Sequence, residues 1–555
     1  MVNRVGMLLL GIAIFGVSSQ LSGEQPDKAE QNGVQPALAG IDGEAIRAHM
    51  RFLSDRLLEG RAPDGPGYAI AARYVQTELE SMGLKPAGTN GDWYQPVPLR
   101  KSVLDSAKSS LVLVRSDSKR ALVDGQDYVF SASLSRADST VEAPVVFVGF
   151  GVTSRQQHYD DYAGVEVKGK VVAMIDGAPA KFPSEERAYN SDGIIKARNA
   201  VAHGAVGILE IMLPEDSKRY PWAWLVPQIQ AGSMGWLEEN GEVHNTFPQL
   251  RANALLSDQA AVVLFAGAPK TLNDVFAAAR AGQPQAFALP LSVRMQTVSM
   301  HKSLVSPNIV ARLEGSDAKL REQYVVYTAH VDHLGICPPV DGDSVCHGAV
   351  DNASGTASVL EIARAYTRLA QAPRRSVLFV FVTGEEMGLL GSDYFAWHPT
   401  VPLRNIVANV NVDGAPGIYY AMKDVVPLGS EHTSLGRTVE EAAHELGYSI
   451  SPDPMPEEVA FIRSDQYSFV LRGVPAVDVT DGVHAVDPKI DGLAMVKKWL
   501  VTRYHTPLDS MDQPLDYDSA AKGSRMNFLV GYDVAQAEKT PTWNAGDFFG
   551  ETFAK

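Results

Sequence analysis

The residues richest in chemistry close an apolar run. Ser376–Glu386 reads SVLFVFVTGEE, a β-branched and aromatic stretch that ends in Thr-Gly and two adjacent carboxylates, Glu385 and Glu386. Such an unbroken run is the pattern of a strand buried on both faces. Ligands of an open α/β sheet bind at the carboxyl ends of its strands. Neighbouring acids repel each other, so a pair placed there makes sense if a cation sits between sheet and solvent. Other strand-like runs deliver matching groups. Gln323–Ala329 hands over His330 and Asp332, and Asn405–Val412 hands over Asp413. Asp351-Asn352 precedes a helical stretch from Ser354, and Tyr504-His505 lies far downstream, ahead of Thr-Pro-Leu-Asp509.

Imidazole nitrogen and carboxylate oxygen are zinc ligands. A carboxylate bridging two ions ~3.5–4 Å apart is the arrangement of two-metal hydrolases. The set holds no thiolate, which disfavours copper(I) and iron–sulfur centres; its two histidines disfavour magnesium and calcium. Asp332, two residues after His330, is placed to accept the imidazole's other N–H. Each group has a plainer explanation alone: Asp-Asn caps a helix, Glu-Glu is solvated, Tyr-His packs. Their joint occurrence at successive strand ends supports the metal reading.

Strand–helix alternation from Ser306 must position these groups. Strands are expected over Asn308–Leu313, Gln323–Ala329, Ser376–Val382, Asn405–Val412 and Val474–Val479. Helices are expected over Ser354–Leu369, Ser434–Leu446 (closed by Gly447) and Tyr517–Gln536. The fold class is α/β, a mixed, mainly parallel sheet sandwiched by helices. Upstream, Ala45–Leu58 and Tyr68–Met82 have helical apolar spacing, with Gly83 as a C-cap. The prolines of Trp93–Leu99 suit an edge strand. Ser109–Met300 changes character: short β-runs at Leu111–Val114, Val145–Val152, Lys170–Ile175 and Val206–Ile211 read as a separate β-rich module, with a helix at Gly193–His203. The aromatic, Pro-rich stretch Arg219–Met234 reads as a loop, facing substrate or packed on its own aromatics.

The motifs AHVDHLG (329–335), GAVDNASGTA (348–357), TGEEMGLLGS (383–392), NVNVDG (409–414), RSDQYSFVLRGVPA (463–476) and YHTPLD (504–509) resemble the co-catalytic di-zinc exopeptidases. That family includes secreted bacterial aminopeptidases, aminopeptidase Y and glutamate carboxypeptidase, with transferrin receptor as a non-catalytic relative. LSDRLLEGRAPDGPG near the start is also family-like, and VVFVGFGV with YDDYAGVEVKGKVVAMIDGAP looks like a protease-associated domain. The resemblance implies two Zn2+ per chain, with Asp351 bridging, His330 and Asp413 completing one site, and Glu386 and His505 the other. It implies Glu385 as general base and acid, Asp332 orienting His330, and Tyr504 stabilising an oxyanion. It implies a phosphorylase/hydrolase-like peptidase domain over 41–108 and 301–540, an insert over 109–300, and a tail over 541–555. The expected activity is removal of N-terminal residues from peptides; a carboxypeptidase with arginines such as Arg463 or Arg472 facing substrate is the alternative. A receptor-like relative is disfavoured because all five ligand positions are kept. One departure is Gln466, where the family often has His; altered substrate contacts are expected there.

The chain's 555 residues exceed one core, so at least two domains are expected. Its formal charge of −16, from 49 Lys+Arg against 65 Asp+Glu, argues against nucleic acid as partner. Arg4, the apolar run Val5–Val17 and small polar residues after it read as a cleavable signal over 1–23, too short to span a bilayer, with a flexible lead-in over 24–40. The expected location is secreted or periplasmic. The only cysteines, Cys337 and Cys346, flank a short loop. In an oxidising compartment they could close a disulfide ring; their spacing is not that of a structural zinc site.

Overall fold

A computed structural model describes residues 33–554; the expected signal and most of the lead-in lie outside that range. Part of the lead-in, Val34–Ala39, is a short helix that buries Val34, Ala37 and Leu38.

The main sheet is built from β1 (Tyr94–Leu104), β2 (Ser233–Trp236), β3 (Ala286–Leu313), β4 (Tyr324–His330), β5 (Ser376–Val382), β6 (Ile406–Asn411), β7 (Asp424–Leu428) and β8 (Ala476–Asp481). Its centre is parallel, in the order β5, β4, β6, β8. Antiparallel pairs flank it: β3 on β5, β1 on β3, β2 on β1, and β7 on β8. The central runs are apolar throughout because both faces are covered. Val377, Phe379 and Phe381 of β5 enter one core; Leu378, Val380 and Val382 enter the other. Helices α1 (Gly43–Leu53), α2 (Pro66–Ser81), α4 (Gly355–Thr367) and α6 (Tyr517–Gln536) supply the first core, and Phe395, Phe461, Phe469 and Phe549 help fill the second. α3 is the helix Trp222–Gln230, and α5 is Leu435–Glu445.

A second sheet, with its own cores, uses residues between β1 and the first half of β3. Asp138–Val148 pairs with that half, Val171–Ile175 runs parallel to Asp138–Val148, and Gly207–Ile211 runs parallel to Val171–Ile175. β3 is therefore one continuous strand shared by both sheets, and the boundary expected at 300 falls inside it. Alternating burial persists through Val293, Met295 and Thr297, so the ladder has no reason to stop. β2 also departs from the expected division, because it leaves the middle segment and pairs with Leu99–Ser102 of β1. The expected loop at Arg219–Met234 is largely α3, with Pro227 inside it. The tail expected over 541–555 ends in the helix Phe548–Phe553, which buries Phe549 completely.

Candidate metal centre

β4 ends on His330, β5 leads through Thr383-Gly384 to Glu385 and Glu386, and β6 leads to Asp413. These strands lie side by side and parallel, so their last residues share one edge. Asp351 reaches that edge from the irregular turn Ala349–Ser354 before α4, and His505 from the segment after Gly492–Thr502.

All five expected ligands converge. His330 Nε2 lies 3.3 Å from Asp351 Oδ1 and 3.2 Å from Asp413 Oδ1. His505 Nε2 lies 3.3 Å from Asp351 Oδ2 and 3.0 Å from Glu386 Oε2. The two oxygens of Asp351 thus face different imidazoles. Glu385 Oε2 stands 3.8 Å from His330 Nε2. His505 Nε2 is buried and makes no hydrogen bond, although two carboxylates close on it. Donor atoms of His330, Asp351 and Glu386, and of His330, Glu385 and Asp413, each lie within 4.8 Å of one another. Buried nitrogen and oxygen donors, thiolate-free and crowded without full hydrogen bonding, fit a zinc-type cation.

The electrostatics show how much negative charge is packed here. Burial opposes charge on His505, but Glu386 and Asp351 outweigh it and raise its pKa to about 9. Burial likewise opposes charge on His330, yet Glu385 and Asp413 push it well above the usual imidazole range. Glu385 and Glu386 diverge. Burial is the largest influence on Glu385 and, with Asp413 and Glu386 nearby, holds it well above the carboxylate range. For Glu386 burial is overcome by His505 and His333, which lower it to about 2.

Two expected roles take a different form. The carboxylate of Asp332 stands 4.0 Å from His330 Nδ1, and it is the Asp332 backbone carbonyl, at 3.2 Å, that accepts the imidazole N–H. The Asp332 carboxylate instead accepts the backbone N–H groups of Glu385 and Glu386 at 3.2 and 3.4 Å. Tyr504 stacks on the His505 ring at 3.7 Å between centroids, and its hydroxyl accepts a 3.0 Å bond from Arg463. Gln466 corrects an expectation. It is fully buried, accepts from Asn411 and donates to Phe461, so it braces the core and meets no substrate. Cys337 and Cys346 form a disulfide, with Cα atoms 5.8 Å apart.

Sequence reasoning missed the braces. The guanidinium of Arg61, in the EGRAPDGPG loop, is fully buried and donates to the carbonyls of Val331, His347 and Gly348 at 2.8, 2.7 and 3.0 Å. The Asp509 carboxylate accepts the backbone N–H of Val350 and Asp351 at 3.1 and 3.0 Å. Asn352 Oδ1 accepts from Gly355 and Gly414, tying the Asp351 turn to the Asp413 loop. His333, fully buried, meets Glu386 at 2.5 Å. The motif strings contain all four residues, but nothing in their types distinguishes a brace from a loop residue.

Known proteins resemble this arrangement. Residues 308–529 match peptidase family M28. Aminopeptidase NAALADL1 of Mus musculus is 27% identical over 304 residues, covering 44% of this chain and 38% of that protein. The probable glutamate carboxypeptidase AMP1 of Arabidopsis thaliana is 27% identical over 221 residues, covering 37% of this chain and 26% of that protein. The chain thus spans well under half the length of these curated relatives. The solved aminopeptidase from Aneurinibacillus sp. strain AM-1 superposes with a TM-score of 0.52 at 19% identity, covering 89% of this chain and 94% of that one, a likeness of fold. The match to peptidase family M28 thus covers the residues that build this sheet edge.

Proposed function

We propose that this protein is a secreted di-zinc aminopeptidase. The observation behind that reading is Asp351, whose oxygens face His330 on one side and His505 on the other. His330 and Asp413 would hold one ion, Glu386 and His505 the second, and Asp351 both. The carboxylates of Asp351, Asp413 and Glu386 supply negative charge that would draw divalent cations to this edge. When bound, zinc supplies a Lewis acid for the scissile carbonyl and a water acidified to a pKa of about 7.

The chain's own groups divide the remaining work. Glu385 and Glu386 are neighbours pushed in opposite directions, which is how environment separates a proton carrier from a fixed anion. Glu385 takes a proton at its carboxylate and returns it to the leaving amine. Tyr504, held by Arg463, offers its hydroxyl to the developing oxyanion.

A cavity of about 270 Å3 adjoins Asp351, Glu385, Asp413 and Tyr504. Ile418, Leu428, Met455 and Trp499 give it an apolar wall, and Asp453, Glu458 and Asp481 make it acidic. That lining favours a substrate ammonium with an apolar side chain. Arg463, the cation on the same cavity, supports the second reading, a carboxypeptidase. Secretion is supported by the disulfide, a bond of oxidising compartments. A dipeptide panel tests the assignment. Free N-termini should be trimmed, N-acetylated peptides should resist, and chelation should abolish turnover until zinc is restored. Release of C-terminal residues from N-acetylated peptides would transfer the assignment to the carboxypeptidase.

A further inference from the structure

A second cavity meets the candidate centre from the opposite side. It opens beside Glu386 and His505 and holds about 1000 Å3, the upper end of the ~300–1,000 Å3 usual for ligand sites. One wall is α3 with β2, presenting Trp224, Pro227 and Met234; the other is the disulfide hairpin, presenting Ile336, Pro338 and Pro339. We infer that this groove binds the peptide beyond the scissile bond, so that the Trp222–Gln230 helix supplies the leaving-chain subsites.

The inference rests on the aminopeptidase reading and follows from the unequal cavities. An exopeptidase needs a small pocket for the terminal residue and a larger space for the rest of the chain. The smaller cavity, about 270 Å3, lies on the Asp413 side, and the larger one, about 1000 Å3, lies on the His505 side. The groove's walls suit an extended backbone with apolar side chains. Ile336 is 65% exposed on the hairpin rim. Lys101, which lines the groove, is paired with Asp64 at 2.9 Å, so its charge is already partnered. α3 is held in place from two sides. Trp222 Nε1 donates to Gly125 at 2.9 Å, and Tyr220, just before the helix, donates to Glu458 at 2.5 Å.

The test is a substrate ladder of Leu-p-nitroanilide, Leu-Phe-Ala and Leu-Phe-Ala-Ala, assayed with the zinc-loaded full chain. In the wild type kcat/KM should rise with length. Trp224→Ala and Ile336→Ser, on independent elements, should each cut that rise at least ~5-fold, the size of an interface anchor's loss, and should act through KM. Equal zinc content and melting temperature in the variants would separate this effect from misfolding. A ladder flat in the wild type, or variants that scale every rung equally, would overturn the groove assignment alone. Inertness of the wild type toward all three compounds would instead overturn the aminopeptidase reading and, with it, the occupant assigned here.

Discussion

At the scale of single residues, the divergence of Glu385 and Glu386 supports the different jobs proposed for these adjacent acids. Glu386 is drawn toward charge by His505 and His333, whereas Glu385 is buried beside Asp413 and keeps a proton readily. Glu385→Gln should therefore retain zinc and lose roughly two to four powers of ten in kcat, the value of a general base. Full turnover in that variant, measured at saturating substrate, would remove Glu385 from proton transfer. Tyr504 makes a finer claim. Tyr504→Phe deletes only a hydroxyl, so kcat should fall by about 10- to 100-fold with KM little changed. A change confined to KM would mean that the hydroxyl holds substrate and not the transition state.

At the scale of elements, parallel strands bring the ligands to one edge, and non-ligand residues fix the turns that carry them. Asp509 grips the Asp351 turn through two backbone N–H groups. Asp509→Ala should weaken zinc binding by ~10–100-fold, as loss of a ligand's support does, with the circular dichroism spectrum unchanged. Unaltered zinc affinity in competition with a chromophoric chelator would show that the turn is held without it. Much of this level could be read from sequence. Ser376–Val382 and Tyr517–Gln536 fold as the apolar patterns indicated, because burial on both faces, or on one helical face, leaves a periodic trace. The candidate ligands could be picked out because metal chemistry restricts residue type, and the fold gathers them at one edge. Other features leave no such trace. The Asp332 carboxylate was expected on His330 and instead holds the turn at Glu385, a choice made by backbone direction. β3 hides its length because proline at 290 and 307 and exposed residues near His301 look like breaks, while the two sheets share its ladder. α3 contains a proline and two tryptophans, a composition that imitates a loop.

At the scale of the whole molecule, remote segments are clasped together at His432. Its ring meets Glu185 of the helix Ser184–Ser191 on one side and Asp547, near the chain end, at 2.5 Å on the other. Burial opposes its charge, but Asp547 and Glu185 raise its pKa to about 10, against about 6.5 in the unfolded chain. Between those values the folded state holds a proton that the unfolded state releases, so this contribution to stability is complete below pH ~6.5 and declines as pH rises toward ~10. The melting temperature of His432→Gln should fall below that of the wild type at pH 6, and the gap should close by pH 10. A gap that stays constant across that range would show that the clasp does not depend on the charge of His432. Among the described residues no helix is long and apolar enough to cross a membrane.

The most direct test of the account is zinc stoichiometry, by titrating metal-free protein and measuring bound zinc by mass spectrometry. The wild type should take up two equivalents per chain, and Asp351→Ala should hold less than one while staying folded. A wild type that saturates at one equivalent, or an Asp351→Ala chain that still binds two, would contradict the claim that one carboxylate joins the two halves of the centre.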